Sequence, residues 1–253
     1  MAGLSSVQFV NAQNDQTIKT NSASAVEAAA DHKVLIIPFE PRLYNSEIDR
    51  FINAETKLSA KDIKFKFRDG INEQIYKALR AAKYNAVDLM SDTVLYKKEL
   101  NAIYQYLSYD YVKVPDQKNY KVPLREKEQK KIEKGQLVVE TNADERFMDA
   151  RITNAKALQA IAAKYRCDLF LFINELDIKA SGSKDPGAGE TELRKIIVHY
   201  TIINRSGVEI NSGTLEEEFD PALNVPKKIV DKHFSKIALN LLQRLNKALG
   251  IKR

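Results

Sequence analysis

The sequence predicts an α/β sandwich of three or two layers, its mixed sheet having a parallel βαβ part and a C-terminal antiparallel meander. Three observations predict it. Two continuous apolar runs, Val34-Leu35-Ile36-Ile37-Pro38-Phe39 and Leu169-Phe170-Leu171-Phe172-Ile173, read as strands buried on both faces. Apolar residues recur at helical spacing between and after these runs. Beyond the second run, residues 193–203 and 208–219 alternate and are joined by the turn Asn204-Arg205-Ser206-Gly207. Helices packed on a mixed sheet accommodate all three.

Residues 1–30 are expected to be a flexible tail or the remnant of a signal peptide, since Val10-Asn11-Ala12 resembles the small-residue end of a secretory signal. Residues 31–253 read as a single α/β domain with an insertion at about 108–135. After the first strand, a short helix is expected at 47–53. Phe67, Ile71, Ile75, Leu79 and Ala82 then share one face of a longer helix. Gly70 within it costs about 1 kcal/mol relative to Ala, so a close packing contact is expected there. Residues 84–90 read as a strand parallel to the first, reached by a right-handed crossover. Ser91 or Asp92 is the expected cap of a helix with Leu100, Ile103, Tyr104 and Leu107 on its apolar face.

Residues 108–135 break this rhythm. Between 113 and 134, eight Lys or Arg stand against four Asp or Glu, beside Tyr109, Tyr111 and Tyr120. A short strand at 136–140 and a helix at 154–165 follow. The last helix carries Ile229, Val230, Phe234, Ile237, Ala238, Leu241, Leu242, Leu245 and Leu249, with Gly250 as its C-cap. Ile36, Phe170 and Leu241 are expected to be fully buried where the two central strands meet that helix.

The chain has 253 residues, 44% of them hydrophobic, and a formal net charge of +6 from 40 Lys and Arg against 34 Asp and Glu. That apolar fraction excludes disorder over the whole length. The single cysteine, Cys167, excludes a disulfide scaffold. No run approaches the ~18 apolar residues of a transmembrane helix.

Motifs for chemistry are sparse. There is no G-x-x-x-x-G-K-[ST], and Gly182, Gly187 and Gly189 lie between strands rather than before a helix. His32, His199 and His233 have no ligand spacing, and Glu216-Glu217-Glu218 reads as a solvated edge. Cys167 opens a buried strand and reads as an inert thiol. Asp88 with Asp92, and Glu175 with Asp177, are paired acids of no distinctive pattern, though any two carboxylates can build a glycosidase. No catalytic residue, metal ligand or cofactor is therefore expected. Tyrosines interleaved with Lys and Arg suit a protein–protein surface or a glycan-rich one, so Tyr109, Tyr111, Tyr120, Lys127, Lys130, Lys131 and Lys134 are the candidate partner-binding residues.

The order of elements resembles the bacterial envelope domain shared by the curli-secretion lipoprotein CsgG, the LpoB-type penicillin-binding-protein activators and the TolB amino-terminal domain. That group opens on a V-x-V-x-P-F strand, matched by Val34 to Phe39. Its helix leading into an A-D-hydrophobic strand is matched by Ala162 to Leu171, and its D-x-x-[TS]-G turn by Ile203-Asn204-Arg205-Ser206-Gly207. Asn174 stands where the group usually has Gly, and the Asp of the turn is missing. The resemblance spans about residues 33–250. It implies a non-enzymatic accessory protein, periplasmic or secreted, that binds another envelope protein and reaches the membrane only through it. An envelope glycan hydrolase and a nucleic-acid-binding α/β domain remain alternatives, the latter with a cytoplasmic location and disfavoured by the dispersed charge.

Overall fold

The computed structural model describes residues 27–92, 94–113, 130–133, 136–139, 146–184 and 192–252. Strand β1 (Lys33–Ile37) lies between β3 (Asn85–Asp88) and β8 (Leu169–Lys184) and is parallel to both. Strand β9 (Glu192–Asn204) runs antiparallel to β8, and β10 (Glu209–Phe219) antiparallel to β9. The sheet order is thus β10-β9-β8-β1-β3. Pro38, which has no N–H to donate, follows the last residue of β1. The chain loops out and returns as β2 (Tyr44–Ser46), which pairs in parallel with Leu176–Ile178, further along the same β8.

Two helical layers cover this sheet. Against one face lie α1 (Asp49–Thr56), α2 (Ala60–Ala81), α5 (Pro226–Ile229) and α6 (Ser235–Ala248). Helix α2 starts upstream of its apolar stripe because Ser59 caps it: the Ser59 hydroxyl accepts the Asp62 N–H and donates to the Asp62 carboxylate. Its Ile63, Phe67, Ile71, Ile75 and Leu79 join Val34, Ile36, Leu171, Ile237 and Leu241 in one apolar core. On the opposite face, α3 (Lys97–Gln105), α4 (Ala155–Tyr165) and a second, two-stranded sheet of β4 (Leu107–Lys113) and β7 (Arg146–Ile152) close a smaller core around Leu35, Ile37, Phe170 and Phe172. The architecture is a three-layer α/β sandwich.

The structure corrects several expectations. Phe170 is buried, but in the second core, away from the last helix; it is one residue out of phase with Leu169 and Leu171, so strand alternation turns it to the other face. Asp92 does not cap a helix. Its Oδ1 accepts the N–H groups of Val94 and Leu95 in a turn, and α3 begins only at Lys97, while Leu107 belongs to β4. Strand β7 went unrecognised because Arg146, Asp149 and Arg151 mask its pattern. Residues 130–133 (β5) and 136–139 (β6) form a hairpin.

The last helix is also not regular. A π-helical turn, Val230–Phe234, separates α5 from α6. Val230 packs on Gly70, where an added Cβ would sit 2.5 Å from Val230 Cγ2. Gly70→Ala gains about 1 kcal/mol of helix propensity but forces overpacking that costs ~1–3 kcal/mol. We expect a net loss of about 1 kcal/mol, read from the urea unfolding midpoint. Gly250 (φ +71) caps the helix as expected, with Gly250 N–H donating to Lys247 O and Ile251 N–H to Asn246 O.

Candidate functional site

A β-bulge creates the most unusual polar cluster of the molecule. Along β8 the pairing to β9 shifts between Ile173, opposite Tyr200, and Glu175, opposite His199, leaving Asn174 as the extra residue. Before the bulge, Leu169, Leu171 and Ile173 face the α2 layer; after it, Leu176 and Ile178 do. That one-residue slip turns Glu175 and Asp177 out of the larger core and toward the β4–β7 side. Asn174 itself is wholly buried, and its amide donates to Met148 O and to Thr201 Oγ1, both at 2.7 Å.

Around the bulge, side chains from four elements converge. Asn45 of β2 donates to Glu175 Oε1 at 2.7 Å and to Asp177 Oδ1 at 2.9 Å. The Tyr111 hydroxyl of β4 donates to both Glu175 oxygens, at 2.8 and 2.7 Å. His199 Nε2 lies 3.5 Å from Asp177 Oδ2 and 3.8 Å from Glu175 Oε2. Below them, Thr201 Oγ1 accepts the Ala150 N–H of β7 and donates to Asp149 Oδ1. Glu175 is 2% exposed and Tyr111 53%, so the carboxylate lies beneath a tyrosine that faces solvent.

His199 decides what the cluster can hold. Its Nδ1 accepts the backbone N–H of Met148 at 2.8 Å. The ring hydrogen of a neutral imidazole must then sit on Nε2, pointing at the two carboxylates.

The same argument tests a metal. Glu175, Asp177 and His199 each offer one ligand-type atom within 4.8 Å of the others. A metal-bound Nε2 needs its lone pair free and a hydrogen on Nδ1. The Met148 N–H imposes the opposite tautomer, so the set does not fit a metal.

The two carboxyls differ in environment. Burial, with the Asp177 charge, pushes Glu175 above the usual range. Burial would lift Asp177 too, but His199, Asn45 and Lys179 outweigh it and draw that carboxyl down. Burial and Glu175 together push the Tyr111 hydroxyl up.

Tyr109 and Tyr111, two of the sequence candidates, occupy alternate positions of β4 and both meet carboxylates of the main fold. Tyr109 is half-buried against the second core, its hydroxyl pushed up by burial and by the neighbouring Glu40. Lys130 and Lys131 lie in β5. Tyr120, Lys127 and Lys134 lie outside the described residues. Of the two described tyrosines, Tyr111 belongs to the acid–histidine cluster. In the sequence, Glu175 and Asp177 show only as an acidic i, i+2 pair in an otherwise apolar strand, and nothing there links them to His199.

No protein-family model matches this chain, and no curated protein matches it.

Proposed function

We propose that this chain is a non-enzymatic binding protein of the bacterial cell envelope, periplasmic or secreted, that engages another envelope protein through the segment between β4 and β7. One observation carries this reading. β4 and β7 pair over their full length, with Lys113 opposite Arg146, so the two residues that flank the segment 114–145 are paired neighbours. That place is bound to the main sheet by Tyr111, Met148 and Ala150. A long excursion rooted on a rigid scaffold is where binding groups tend to sit. Its composition, Tyr120 with Lys127, Lys130, Lys131 and Lys134, suits an acidic protein surface. The resemblance of the Val34–Phe39 and Ala162–Leu171 motifs to envelope proteins supports the compartment.

The second reading, a glycan hydrolase, draws on the closeness of Glu175 and Asp177 and on their oppositely shifted pKa values. Burial of Glu175 beneath Tyr111 favours the binding reading over it.

Replacing Lys127, Lys130, Lys131 and Lys134 with Glu tests the proposal. The fold is expected to survive with less than ~0.5 kcal/mol change in unfolding free energy. Capture of the partner from the native cell envelope at low salt should fall and lose its salt dependence. Unchanged capture by the folded variant would reject the segment as the binding feature.

A further inference from the structure

We propose that Glu175 is a proton-controlled latch: protonated, it closes the joint between the β4–β7 pair and the main sheet, and ionised, it loosens that joint. The argument begins with where a proton can reside. His199 cannot take one without expelling the Met148 N–H from Nδ1. Its Nε2, on a side chain 5% exposed, has no hydrogen-bond partner and is directed at the carboxylates. Asp177 is drawn below the usual carboxylate range, despite its burial, by His199 Nε2 at 3.5 Å, by the Asn45 amide and by Lys179 on its own strand. Glu175 is therefore the group that gains or loses the proton.

Every element packed against Glu175 bears on the outcome. β2 brings Asn45, β8 brings Asp177 and Lys179, and β9 brings His199, whose Nδ1 is taken by the Met148 N–H. β4 brings Tyr111, whose hydroxyl is a donor. From β7, Asp149 faces Thr201 and has Arg151 Nε 3.6 Å from its Oδ2, one step away from the cluster. Among the described residues, Lys179 is a cation that acts on Asp177. Once Glu175 ionises, two carboxylates share the Asn45 amide, and one of them, Glu175, is only 2% exposed.

Admitting water relieves that repulsion. Tyr111 is the natural door: its ring is half in solvent, and its hydroxyl ties β4 to Glu175. Opening there strains the adjacent backbone bonds, Met148 N–H to His199 and Ala150 N–H to Thr201, which hold β7 down. The sign follows from the geometry: Glu175 is 2% exposed and shares the Asn45 amide with Asp177, and burial and the Asp177 charge outweigh the donors on Tyr111 and Asn45, so the folded-state pKa of Glu175 is raised. The latch contributes fully below the ordinary glutamate range and is lost as pH rises through the folded value. Presentation of residues 114–145 to a partner would then be firmest in mild acid, a consequence that rests on the binding reading above.

The test reads the joint and uses no partner, so its failure and that of the binding reading are distinguishable. Amide protection factors are measured by NMR on the full chain from pH 5 to pH 8. Met148 and Ala150 should lose about tenfold in protection for each unit by which the Glu175 pKa is raised and the titration is spanned. Leu35, in central β1, should keep its protection. Glu175→Gln, which retains an acceptor for Tyr111 and carries no charge, should remove the pH dependence. Flat protection at Met148 and Ala150 in the wild-type chain would overturn the latch. So would a matching fall at Leu35, which signals global unfolding, or a Glu175→Gln variant that follows the wild-type curve.

Discussion

Phe67→Ala is expected to cost about 3–5 kcal/mol of unfolding free energy. Phe67 is wholly buried in the middle of α2. Its ring centroid lies 6.2 Å from that of Tyr44 and 5.6 Å from that of Phe234, in the π-helical turn. It therefore joins three separate parts of the chain: β2, α2 and the last helical segment. Truncation removes both the transfer free energy of the ring and two aromatic contacts, and Gly70, tight against Val230, leaves little freedom for the neighbouring turn to collapse inward. Chemical denaturation of the variant checks the value. A loss under ~1 kcal/mol would mean that α2 packs elsewhere.

Asn174→Ala carries the second-largest expected effect, about 2–3 kcal/mol. The side chain is fully buried and makes two donor contacts, to Met148 O on β7 and to Thr201 Oγ1 on β9. Losing a buried hydrogen bond and stranding its partners costs ~1–3 kcal/mol. The alanine also leaves space beneath the bulge. The damage should be local as well as global, because Asn174 ties β7 to the strand pair beneath it. We expect protection at the Met148 amide to fall further than at Leu35. Equal losses at both would show that the bulge has no particular hold on β7.

The two experiments probe different kinds of information in the sequence. Strands β1 and β8 were legible because a strand buried on both faces must be apolar without interruption. Helix α2 was legible because one face must be apolar every three or four residues. The meander showed in its alternation and its Asn-Arg-Ser-Gly turn. Even Gly70 announced a close contact, since a glycine inside a strong helix is costly. These features depend on burial, and burial is written locally.

The acid–histidine cluster depends on register, which is not. Glu175 and Asp177 face β4–β7 only because one extra residue at Asn174 reverses the alternation of β8. His199 meets them across a strand pair, and its tautomer is set by an amide of Met148, 51 residues away in the sequence. Tyr111 reaches Glu175 across 64 residues through a strand whose partner, β7, carries charges on a half-buried face. The sequence alone determined the α/β layering, because apolar area must leave water wherever it occurs. Tertiary structure decided which polar groups were buried together, because that follows from pairing, bulge and tautomer, none of which has a local pattern.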